Sequence, residues 1–248
     1  MTYKAEAPSK ASDSLGYRPK RFWTGVAVNE GADGYEVRLD GRAVKTPQGR
    51  TMTLPTTGLA EAVAAEWAQV AKHVDYAHMP LTRLAFAALD RMDDTQAETR
   101  DEALRYAETD LTCYPSDYPQ ALIAREMAAW APVLIWAEAE LGLRFHQNKT
   151  LIHKPQPTET LDKIADLLSV MSVYERAGLM SAIPLLGSVV LALALWRGRL
   201  TGAEAFAAAR IGEDFQAEQW GRDAEAEQRA EALRGQAISL ETWFRALV

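Results

Sequence analysis

The spacing of apolar positions changes character once along this chain. From Arg21 to Pro55 apolar and β-branched residues come in short, partly alternating runs. Beyond Leu59 they recur every three or four residues. Arg21–Glu30 reads as a strand, with Phe22, Val26 and Val28 in partial alternation. Gly31–Gly34 turns it into Tyr35–Leu39, and two further short strands complete a meander that ends at Pro55. The turns fall at Asp40-Gly41 and Gln48-Gly49. Asp-Gly is a strong hairpin signal, because a type I′ turn needs positive φ at both central residues.

Helical spacing takes over at Thr56-Thr57, which offers an N-cap. Leu59, Val63, Trp67 and Val70 mark one face, with Glu61 and Glu66 on others. This helix is expected to lie across the sheet, since a small isolated sheet leaves an apolar face unburied. His73–Pro80 connects it to a helix over Leu81–Met92, and Asp93-Asp94-Thr95 caps the next, which runs to Thr109. Further helices are expected over 119–142, 158–175, 182–198, 201–220 and 222–246, with strand-like residues between them at Phe145–Ile152. The fold class is therefore α+β: a small N-terminal mixed β domain (meander plus helix) followed by a larger all-helical domain. The expected divisions are a flexible tail over 1–19, the β-rich domain over 20–92 and the helical domain over 93–248.

Charge narrows the partners. With 27 basic and 34 acidic residues the formal net charge is −7, which argues against broad nucleic-acid or anionic-membrane binding. Arg38, Arg42, Lys45 and Arg50 in the hairpin region could form a basic stripe, but charges on a small sheet more often guard its edge against strand pairing. The single cysteine, Cys113, allows no intrachain disulfide and suits a reducing compartment. The first 20 residues carry neither a secretory nor a transit pattern. Ala177–Trp196 has twenty residues without a charge, but Pro184 interrupts it and Gly178, Ser181, Gly187 and Ser188 dilute it. Arg176, Arg197 and Arg199 flank both ends, so the segment reads as a buried helix and no stable membrane insertion is expected.

Candidate chemistry is sparse. His73-x-Asp75-x-x-His78 fits no zinc spacing, so no metal is expected. Neither a phosphate-binding glycine loop nor a nucleophile elbow is present, and no cofactor or catalytic residue is assigned. The alternative is a small-molecule hydrolase or transferase using Cys113 with His73, His78 or His153 as base. One polar cluster has a definite shape, from Arg210 to Asp223. On a helix, Ile211, Phe215 and Ala217 or Trp220 would face inward and leave Asp214 and Glu218 as an exposed i, i+4 pair. An acidic ladder of this kind is usually a solvated face, but Trp220 makes a contact surface plausible, since an aromatic with a polar rim typifies protein interfaces. The candidate partner-binding residues are Glu213, Asp214, Gln216, Glu218 and Trp220.

At this point the chain resembles a known family, the F1-ATPase assembly chaperones that act on the α subunit (F1 complex assembly factor 2, or ATP-twelve). The segments that carry the resemblance are Lys20-Arg21-Phe22-Trp23, Leu39-Asp40-Gly41-Arg42 with Lys45-Thr46-Pro47, and Ala64-Ala65-Glu66-Trp67. Met79-Pro80-Leu81-Thr82-Arg83-Leu84 with Asp90, Thr109–Tyr114, Trp130-x-Pro132 to Trp136, and Phe215-Gln216 to Trp220-Gly221 follow in order. The resemblance implies a non-enzymatic role: holding the newly made α subunit of F1 before assembly. The protein is expected to be a monomer when free. It implies an important acid that maps best to Glu213, with Asp214 beside it. Gly212 departs from relatives that often carry another acid there, so the local charge is lower. With no transit pattern evident, a bacterial cytoplasmic protein is expected, or one of the mitochondrial matrix if eukaryotic.

Overall fold

A computed structural model describes residues 19–148, 154–221 and 223–248. The tail expected over 1–19 therefore lies outside the described residues except for Pro19, as do His153 and the end of the strand-like Phe145–Ile152 stretch. The chain forms two compact units, one reaching to Asp94 and including Arg245–Val248, the other spanning Thr95–Phe244.

In the first unit β1 (Val26–Gly31) pairs antiparallel with β2 (Gly34–Leu39), placing Val28 opposite Val37. Asp40 at φ 47° and Gly41 at φ 81° make the tight turn that the Asp-Gly pair requires. β3 (Arg42–Ala43) then runs back along β2. Here the path departs from a simple meander. β4 (Thr53–Leu54) pairs with β2 as well, opposite Tyr35 and Glu36, so β3 and β4 follow one another along the same edge. Between them an excursion closes through the Lys45–Thr51 bridge and turns at Gly49, φ 83°. Gly34 is obligatory, because a Cβ there would lie 2.5 Å from the Leu54 carbonyl oxygen.

α1 (Thr57–Gln69) lies against β1 and β2 and buries Leu59, Ala60, Val63 and Trp67. Three carboxylates fasten the unit. Asp40 accepts from Gly25 N at 2.7 Å and Thr24 N at 3.0 Å, and these backbone donors hold its carboxyl below the ordinary range. Asp90, on α2 (Pro80–Arg91), accepts from Thr46 Oγ1 at 2.6 Å and Gln48 N at 3.1 Å. Glu66 accepts from the amides of Leu81 and Thr82, both at 2.8 Å, and so caps α2 at its first turn. Burial pushes the Glu66 carboxyl up against those bonds. Arg38 pairs with Glu36 at 2.8 Å and Lys45 donates to Thr51, so these hairpin cations are engaged locally.

The second unit is helical: α3 (Gln96–Glu108), α4 (Gln120–Leu141), α5 (Thr158–Val170), α6 (Val173–Leu186), α7 (Val189–Trp196), α8 (Gly202–Ala209), α9 (Ile211–Trp220) and most of α10 (Ala224–Ala246). Three helices expected to be continuous are broken. The helix expected over 158–175 stops at Val170, because Ser172 and Glu175 form a reciprocal capping box that starts α6. The helix expected over 182–198 is divided by Gly187, left-handed at φ 62°, and by Ser188, whose hydroxyl accepts from Leu191 N. The one expected over 201–220 bends at Arg210, which closes α8 and opens α9.

The uncharged stretch is thus split between α6 and α7. Every residue from Val189 to Leu195 is buried, which makes α7 the centre of the unit. No helix among the described residues is long and apolar enough to cross a membrane. Asp110, fully buried, accepts from Thr112 N and Oγ1, Ser188 Oγ and Val190 N, and so holds the turn after α3 to the start of α7.

Candidate functional site

α9 divides the five candidate residues between two faces. At 3.6 residues per turn, Glu213, Gln216 and Trp220 fall within a sector of about 60°. Ile211, Asp214 and Glu218 fall in another, roughly a quarter turn away or more. Phe215 anchors the helix, 9% exposed, on the side nearly opposite Glu213. The expectation that Ala217 or Trp220 would turn inward holds for neither: Ala217 is half-buried and Trp220 is 88% exposed. The Trp220 indole thus lies in water on the same sector of the helix as the exposed Glu213 and Gln216. Glu213 and Asp214 also sit in the first turn of α9, where an acid complements the helix dipole.

The other face borders a groove of ≈ 520 Å³ lined by Arg125, Ala128 and Ala129 of α4, Ala207 of α8, and Ile211, Asp214 and Glu218 of α9. Trp130 Nε1 donates to the Ala208 carbonyl at 2.8 Å and fixes α4 on α8 beneath it. Arg125 braces α4 to α9: its guanidinium lies over the Phe215 ring, 5.1 Å from the centroid, and donates to Glu218 at 2.8 Å. Asp214 pairs with Arg210 at 3.5 Å. So the expected exposed i, i+4 acidic pair is engaged by two arginines, and Glu213 is the acid that makes no ion pair among the described residues. Gly212 is not required by the fold, since a Cβ there would meet no atom within 4 Å.

The groove residues on α4 were not singled out in the sequence, yet a signal was there. From Met127 to Ala137 α4 has no charge, and such a helix should be wrapped on all sides. Instead Ala128, Pro132 and Ile135 are exposed, Ile135 by 68%.

The hydrolase alternative loses its nucleophile. Cys113 is buried, and desolvation with the nearby Asp110 charge pushes its thiol far above the ordinary range, the opposite of activation. His78 is exposed and lies 3.4 Å from Asp75, while His153 is outside the described residues. Among the described residues no group of three or more His, Cys, Asp or Glu could hold a metal ion.

Comparison with known proteins agrees with this architecture. A family profile described as ATP12 chaperone protein matches residues 20–138. Protein atp12, mitochondrial, of Schizosaccharomyces pombe is 24% identical over 214 residues, 82% of this chain and 74% of that protein. The crystal structure of Atp12 from Paracoccus denitrificans superposes with a TM-score of 0.86 at 34% identity, covering 93% of this chain and 99% of that one. An aspartate-to-lysine mutant of the same protein gives 0.87 at 33% identity, with 93% and 98% covered. The Atu1473 protein of Agrobacterium tumefaciens, a chaperone candidate, gives 0.86 at 35% identity, with 93% and 87% covered.

Proposed function

Because this chain belongs to the ATP12 chaperone family, we propose that it binds the unassembled α subunit of the F1 sector of ATP synthase and promotes F1 assembly, without turnover chemistry. An unassembled subunit exposes apolar area that would otherwise pair wrongly, and a chaperone need only cover that area reversibly. The observation that carries the site is the face of α9 on which Trp220 is 88% exposed beside Glu213 and Gln216. Asp214 and Glu218 serve the same surface from its groove side, held in place by Arg210 and Arg125. The protein acts as a monomer in this reading. Its solved neighbours from two bacteria favour a bacterial cytoplasmic setting over the mitochondrial one of the yeast relative.

The test is capture of recombinant F1 α subunit by the full chain and by Glu213→Lys, with the β subunit as control. Wild type should retain α and not β, and Glu213→Lys should retain much less. Glu213 is exposed and acts structurally only through the helix dipole, so the substitution should cost no more than about 1 kcal/mol of stability. A source strain lacking the protein that still assembles normal amounts of F1 would refute the reading.

A further inference from the structure

We propose that the groove between α4 and α9 takes an amphipathic helix of the client, carrying a small apolar face and a Lys or Arg along one flank. This rests on the chaperone reading and names the kind of segment recognised. The floor is made of Ala128, Ala129, Ala207 and Ile211, so a helix backbone can approach closely. Along α4 the exposed positions Ala121, Arg125, Ala128, Pro132 and Ile135 alternate spacings of four and three, the seam of left-handed helix packing. They extend over about 21 Å, or four turns of a docked helix.

Ile135, 68% exposed, supplies an apolar contact beyond the groove. Such a surface is read by anchors at i, i+3, i+4 and i+7. Charge selects the flank. On α9 Asp214 pairs with Arg210 and Glu218 with Arg125, while Glu213, on the neighbouring face, makes no ion pair among the described residues, so three acids stand against two arginines. Across the opening, α4 itself adds no charge between Arg125 and Glu138 except the buried Glu126. A basic residue on the α9 side is therefore favoured and an acidic one opposed.

The experiment uses the full chain and recombinant F1 α subunit. Ala128→Gln with Ile135→Gln, both at exposed positions, should weaken α capture at least tenfold without lowering the melting temperature. A photo-crosslinking residue at position 128 should join to an α-subunit peptide of amphipathic helical pattern bearing Lys or Arg. If wild type fails to capture α, the functional reading and this inference both fall. If wild type captures α and the folded double variant captures it equally, only the groove assignment falls. Should the double variant melt early, the crosslink decides: a peptide without that pattern, or no adduct, overturns the assignment.

Discussion

The interlock between Asp90 and the excursion between β3 and β4 allows a quantitative test of how the first unit is held. Asp90 is 6% exposed and Thr46 1%, and their side chains meet at 2.6 Å. A hydrogen bond to a charged group contributes about 1.5–3 kcal/mol, and a buried donor left alone costs about 1–3 kcal/mol. The second bond, from Gln48 N at 3.1 Å, comes from an exposed residue and counts for less. Asp90→Ala should therefore destabilise by about 3 kcal/mol, the Thr46 bond providing most of it. Asp90→Asn keeps one oxygen for Thr46 and turns an amide toward Gln48 N, so its cost should be about 1–2 kcal/mol. The side-chain bond from Gln48 Nε2 to the Asp90 carbonyl is unaffected by either change.

Native-state hydrogen exchange at the Val44 and Met52 amides reads the loss directly, since Val44 N donates to the Val37 carbonyl on β2 and Met52 N to the Val44 carbonyl across the excursion. Asp90→Ala should speed their exchange roughly a hundredfold, at 1.4 kcal/mol per tenfold. A double-mutant cycle with Thr46→Val should show coupling of 1 kcal/mol or more, about the scale for residues in one network. If Asp90→Ala changes exchange less than about threefold, or the cycle is additive, the interlock is not what holds the hairpin.

Two further outcomes test the helical unit. A Cβ at Gly202 would lie 2.2 Å from the Ala237 carbonyl oxygen, backbone that cannot step aside, so Gly202→Ala should cost about 3 kcal/mol or more. Gly212→Ala, in open space, should be neutral or stabilising by up to about 1 kcal/mol. Paired urea titrations check both, and equal stabilities would contradict the close approach of α8 and α10. Cys113 should resist a thiol reagent in the native protein and react fully in denaturant, because it is buried and its thiol is pushed up. Rapid stoichiometric labelling of native protein would show that the thiol is accessible after all.

Much of the ordered set that carries the family resemblance turns out to be fastening. Thr46 and Asp90 close the excursion, Asp40 holds the start of β1, Glu66 caps α2, and Asp110 ties its turn to α7. Such residues recognise a fold more surely than they explain binding. Ser172-x-x-Glu175 is a legible capping box that marks the break before α6, whereas no such box marks the bend at Arg210 between α8 and α9.

The sequence alone determined what depends on near neighbours. The Asp40-Gly41 turn, the Thr56 cap and the helical period of Leu59, Val63 and Trp67 are set within a few residues of chain. The α+β class follows from them. Tertiary structure decided which edge β4 takes, because an excursion of any length can return to either side of a strand. It also decided which side of α9 is dry. Phe215 is pinned beneath Arg125 from a helix some ninety positions earlier, and that leaves Trp220 in solvent, where the helical period by itself allowed it to turn inward. The groove beside it exists only once α4, α8 and α9 are packed, since each contributes too few residues to show it on its own.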